Sequence, residues 1–95
     1  MNAETLIDVV ANLASYGAEL TIYATRPWTC ESEVVVTREP MQGGLPSEAE
    51  SGGATYFLEI FVAKEFLEGW LAAEGRSVSA REQCERLIHF AIYDA

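Results

Sequence analysis

A chain of 95 residues, 49% hydrophobic and 22% charged, suits one globular domain spanning 1–95 and argues against a disordered polymer. Fifteen acidic against six basic side chains give a net charge of −9. Such a surface resists nucleic-acid phosphates, is drawn to basic protein surfaces, and makes a direct nucleic-acid partner an unfavourable expectation. No apolar run approaches a membrane span and "MNAETLIDVV" lacks the form of a signal peptide, so no membrane partner is expected. With only Cys30 and Cys84 as thiols, the expected setting is cytoplasmic and reducing.

Residues 2–16 read as a helix, because Leu6, Val9, Val10, Leu13 and Ala14 recur at three-to-four-residue spacing. Asn2 is the expected N-cap and Gly17 the expected left-handed C-cap. "AELTIYAT" (18–25) alternates as a half-buried strand, and "RPWTC" interrupts it, since Pro27 has no amide hydrogen to donate. "ESEVVVT" (31–37) is a second strand rich in β-branched residues, ended by Pro40. The segment 40–53 is a Gly- and Pro-rich loop with a short helical turn at "PSEAE".

"ATYFLEIFV" (54–62) is a third strand that passes into a helix near Ile60–Val62. That helix carries Val62, Phe66, Leu67, Trp70 and Leu71 on one side and ends at Gly75. The last helix begins near Ser77 or Ser79, where "SARE" has the form of a capping box, and carries Ala80, Cys84, Leu87, Ile88 and Ala91 inward. The expected fold is α+β, with about three helices packed on one face of a small, mainly antiparallel three-stranded sheet in the order α-β-β-loop-β-α-α.

Catalytic chemistry has little foothold. Cys30 stands between Trp28 and the carboxylates of Glu31 and Glu33, which disfavour a thiolate, so a structural role is expected. Cys84 falls on an apolar helical stripe and His89 slightly off it. A Cys30–Cys84 disulfide stays open, as does a small ligand-binding or enzymatic cleft near Cys30, Trp28 and His89. Cysteine and histidine spacings match no metal site, the paired glycines match no phosphate loop, and no catalytic residue, metal or cofactor is expected.

Strand alternation gives the sharper expectation. If Leu20, Ile22, Val34, Val36, Tyr56, Leu58 and Ile60 face the helices, the opposite face shows Glu19, Thr21, Tyr23, Glu31, Glu33, Val35, Phe57 and Glu59. Tyr23, Val35 and Phe57 would then form an apolar centre ringed by Glu31, Glu33 and Glu59, with Trp28 extending it, for a basic partner to dock on. The alternatives are that the 40–53 loop covers this face or that two copies pair across it as a homodimer. On the docking reading, truncating Tyr23 or Phe57 weakens binding and leaves the melting temperature nearly unchanged.

The block "LTIYATRPWTCESEVVV", the passage "TYFLEIFVAKEFLEGW" and the ending "FAIYDA" resemble a family of small acidic bacterial proteins of unknown function, over most of residues 5–95. The Gly-rich "MQGG" departs from the acidic loop of that pattern. The chain is more loosely similar to anti-CRISPR proteins and to immunity proteins that neutralise toxins. That similarity implies a non-enzymatic inhibitor whose carboxylates occupy the basic surface of a nucleic-acid-handling protein.

Overall fold

A computed structural model describes residues 4–95, in the order α1 (Leu6–Ala11), β1 (Thr21–Thr25), β2 (Val34–Thr37), α2 (Ser47–Gly52), β3 (Ala54–Glu59), α3 (Ile60–Glu74) and α4 (Ala80–Tyr93). The expected cap Asn2 lies outside the described residues. Thr5 occupies the N-cap position of α1, where its N–H and hydroxyl both donate to Asp8 Oδ2, at 3.1 and 2.8 Å. These bonds hold the Asp8 carboxyl below its ordinary pKa. The helix expected over 2–16 is shorter: after Ala11 the chain tightens into a 3₁₀ turn, Leu13–Ser15, and Gly17 is not left-handed. Leu13 still reaches the core through that turn.

The three strands form an antiparallel sheet in the order β2-β1-β3, so the expected α+β architecture is present. Glu4–Ile7 lies along the free edge of β2. Val34 N–H donates to the Glu4 carbonyl, Leu6 N–H to Ser32 and Ile7 N–H to Cys30, at 2.9–3.0 Å. The entry to α1 is thereby stapled to the segment that leads into β2, where edge groups would otherwise stand open.

Helices α1, α3 and α4 cover one face of the sheet. Leu6 and Val9, Ile60 and Leu67, and Cys84 and Leu87 close over Ile22, Ala24, Val34 and Leu58 in the main core. β3 runs into α3 without a loop, and the change falls at Ile60. Gly75, at φ 65°, ends α3 in the left-handed conformation that glycine adopts without a Cβ penalty. Ser79 caps α4 by accepting from the Glu82 N–H at 3.2 Å, but the Glu82 carboxylate pairs with Arg76. Only the forward half of the expected capping box is therefore made.

The strand alternation of β3 is broken. Ile22 pairs with Leu58 but Tyr23 pairs with Tyr56, leaving Phe57 as an extra residue opposite the junction. Such a bulge lets two neighbouring side chains share a face. Phe57 and Leu58 both enter the main core, and Tyr56 turns to the other side. The expected orientations of Tyr56 and Phe57 are thus exchanged. Phe57 is 2% exposed and meets the Trp28 ring edge-on at 4.9 Å, while Tyr56 is 44% exposed.

Phe57→Ala should cost about 3–5 kcal/mol by leaving a cavity beneath Trp28, and Tyr56→Ala under about 1 kcal/mol. Denaturant titration of the two variants checks the difference, and equal losses would deny the bulge its part in the core.

Candidate functional site on the outer face of the sheet

The face turned away from α1, α3 and α4 is itself partly covered. α2 lies across it and inserts Ala49 against Tyr23 and Ala54, with Val35 packed beside them. A small side chain at position 49 lets the short helix sit close to the sheet. Gly53, at φ 75°, then turns the chain straight into β3. Covered in this way, Tyr23 is 1% exposed. With Tyr23 and Phe57 both buried, the docking surface expected to centre on them does not exist in that form. Tyr23 lies under α2, and the bulge draws Phe57 into the main core.

The other predicted site residues separate. Val35, half-buried, borders the small Tyr23 cluster. Glu33 is exposed and, with Val35 and Gly52, lines a shallow depression of about 100 Å³ beside α2. Glu59 sits at the end of β3, opposite Thr21. Trp28 instead packs on the helix side, and its indole N–H donates to the Ala24 carbonyl at 3.2 Å. Glu31 pairs with Arg81 of α4 at 2.7 Å. The structure therefore keeps Glu33, Val35 and Glu59 with Tyr23 and parts them from Trp28, Glu31 and Phe57.

Two residues outside the expected set complete the face. The Tyr56 ring meets Tyr23 edge-on, with centroids 6.4 Å apart, and its hydroxyl donates to Glu59 at 3.4 Å. Glu39, beyond the end of β2, accepts from the Thr21 hydroxyl at 3.4 Å. Burial, with the charges of Glu59 and Glu39, raises the pKa of the Tyr56 hydroxyl; burial and Glu39 raise that of Tyr23. Glu39 therefore acts on both tyrosines, and Glu59 on Tyr56. Glu48 and Glu50 flank the inward Ala49 on α2 and are exposed. The run Tyr56-Phe57-Leu58, three large apolar residues where alternation asks for two, was the signal of a bulge in the sequence.

The cysteines answer a separate question. Both are buried and free, and Cys30 Sγ lies 3.9 Å from the Arg81 carbonyl oxygen, one turn before Cys84. Burial, then hydrogen bonding and charge from Cys30, pushes the Cys84 thiol far above its ordinary range. His89 is exposed on α4, accepts from Arg86 Nη1 at 3.2 Å and lies 4.6 Å from the Tyr93 ring. No hydrogen bond joins His89 to Cys30. Among the described residues no group of three or more His, Cys, Asp or Glu is arranged to hold a metal ion, and no helix is long and apolar enough to cross a membrane.

No protein-family model, curated protein or solved structure matches this chain. What it does has to be argued from its surfaces.

Cys84 and Tyr16 set an alkaline limit. Burial and the Glu4 carboxylate raise Tyr16 to about 12 from 10.0, and Cys84 stands above its ordinary 9.0. A raised folded-state pKa stabilises the native state up to the unfolded-state value, and the contribution is lost as pH rises toward the folded one. Stability should therefore hold at neutral pH and fall from about pH 9 upward, with both thiols inert to a thiol reagent until unfolding. Denaturant midpoints across pH, with thiol counts at each, read this out; flat stability through pH 11 contradicts it.

Proposed function

We propose that this protein is a non-enzymatic, stoichiometric inhibitor that docks the outer face of its sheet on a basic surface of a nucleic-acid-handling protein, in the manner of an anti-CRISPR protein. The observation that carries the reading is Tyr56, nearly half exposed between the Glu39 and Glu59 carboxylates in a chain of net charge −9. An aromatic side chain with two stiff torsions is an inexpensive anchor to order, and carboxylates around it steer and select an Arg- or Lys-rich patch. Glu48 and Glu50 on α2 widen the same anionic side. A face of this kind imitates the negative charge that such an enzyme meets on a nucleic-acid backbone. Two free thiols fit a reducing cytoplasm as its place of work.

The test is a gel-shift assay with guide-loaded RNA-directed nucleases and labelled duplex DNA. Equimolar protein should block DNA binding by a susceptible nuclease, with an affinity that falls steeply as salt rises. Tyr56→Ala should weaken the block about tenfold or more, and so should Glu39→Gln combined with Glu59→Gln, with stability little changed. A block indifferent to salt and to all three substitutions would place the contact elsewhere, and no block by any nuclease tried removes the anti-CRISPR reading.

A further inference from the structure

A second surface has the opposite character. Beside the bulge, Trp28, Tyr56, Phe57, Val62 and Phe90 line a cleft of about 450 Å³, and Arg26 stands at its wall. That volume falls within the range of small-molecule sites, roughly 300–1,000 Å³, which are mostly apolar with a few placed polar groups. The Arg26 guanidinium lies over the Trp28 ring, 4.3 Å from its centroid, and its Nε donates to the Thr55 hydroxyl at 3.4 Å. Stacking and this bond orient the guanidinium, and among the described residues its Nη donors have no hydrogen-bond partner. Among the described residues Arg26 forms no ion pair; Arg38, Arg76 and Arg81 each find a glutamate, while Lys64 donates to the Tyr16 carbonyl and Arg86 to His89. In a chain with so many carboxylates, a cation left unpaired beside an aromatic cleft is the feature that points to a ligand.

We propose that this cleft binds a small planar aromatic carboxylate, its ring against Trp28 and Phe90 and its carboxylate held by Arg26. Each part of that ligand answers a group already in place. Arg26 covers one face of Trp28 and Phe66 stacks on one face of Phe90 at 4.1 Å, so the parts of these half-buried rings left uncovered receive a flat ring, and dispersion plus area removed from water supply the affinity. A guanidinium fork matches a carboxylate with two parallel hydrogen bonds, which an ammonium cannot do. Trp28 is itself anchored through its indole N–H to Ala24, so the wall is formed before a ligand arrives. This site adjoins the proposed docking face and shares Tyr56 with it, but it calls on Arg26 and the aromatic wall rather than on the carboxylates.

Two-dimensional ¹⁵N–¹H spectra of the full chain, titrated with 2-naphthoate, test the proposal. The Trp28 indole N–H resonance should move and saturate, while that of Trp70, outside the cleft, stays in place. The neutral 2-naphthamide should bind about tenfold or more weakly, because it forfeits the charge-assisted pair. Arg26→Gln should erase the preference for the acid, and Arg26→Lys should restore only part of it. Absence of a saturable Trp28 shift, equal binding of acid and amide by the unaltered protein, or a preference that survives Arg26→Gln each overturns the assignment. The comparison of acid with amide needs no variant, so a variant that folds poorly does not spare the proposal.

Discussion

One extra residue in β3 governs both surfaces of this protein. Because Phe57 has no partner on β1, the strand slips by one position between Leu58 and Tyr56, and every side chain before the slip changes face relative to simple alternation. The gain is two adjacent large side chains, Phe57 and Leu58, in a core that a 95-residue chain fills with both cysteines free. The consequence is an aromatic ring, Tyr56, on the side away from the long helices. Remove the bulge, and Phe57 faces outward while Trp28 loses the ring it packs against.

The central strand then needs cover on two sides. Thr21, Ile22, Tyr23 and Ala24 are all buried, as in a strand between layers rather than one with a wet face. The second layer is small. α2 has six residues, and of its side chains only Ala49 is buried. Its neighbours Glu48 and Glu50 cannot be buried without partners, so they project into water around the hydrophobic contact. The anionic rim is thus a by-product of how a short helix made mostly of Ser, Glu and Gly is made to cover a tyrosine.

Much of this was readable beforehand, and the misses share a cause. The strand-to-helix junction at Ile60, the stop at Gly75, the start of α4 at Ser79 and the core place of Cys84 all follow from local rules, because each depends on residues within a few positions. The turn at "PSEAE" is visible too, and cover of this face by segment 40–53 is one of the readings the sequence leaves open; it does not select that reading, since the contact on Tyr23 joins segments far apart in sequence. The length of α1 was overestimated because its apolar spacing continues through Leu13 while the backbone tightens to 3₁₀. The docking face failed at Phe57 and Tyr23 because alternation assumes an unbroken register and says nothing of a second layer. Glu33, Val35 and Glu59 kept their predicted side, as they belong to strands or flanks where the register holds.

Charge is distributed by the same logic. Five of the six cations are engaged in holding the chain together. Arg81 ties Glu31 to α4, and Arg76 joins the end of α3 to the start of α4 through Glu74 and Glu82. Lys64 donates to the Tyr16 carbonyl, Arg86 lies over Phe66, and Arg38 meets Glu19 near the sheet's end. Arg76, Arg81 and Arg38 each neutralise an acid locally, whereas Lys64 and Arg86 meet a carbonyl and a ring. Among the described residues, unpaired carboxylates remain on both sides of the sheet, Glu65, Glu68 and Glu85 on the helices and Glu39, Glu48 and Glu50 beyond the outer face, and Arg26, like Arg86, lies over an aromatic ring. Exposed pairs of this kind add little stability. They also shape the local field, and among the described residues no ion pair engages Glu39, Glu48, Glu50 or Glu59. A near-uniform negative charge would repel any anion and attract any cation. Arg26 interrupts that uniformity locally within a 10.4 kDa chain, because Tyr56 both lines the cleft that holds this guanidinium and donates to the Glu59 carboxylate.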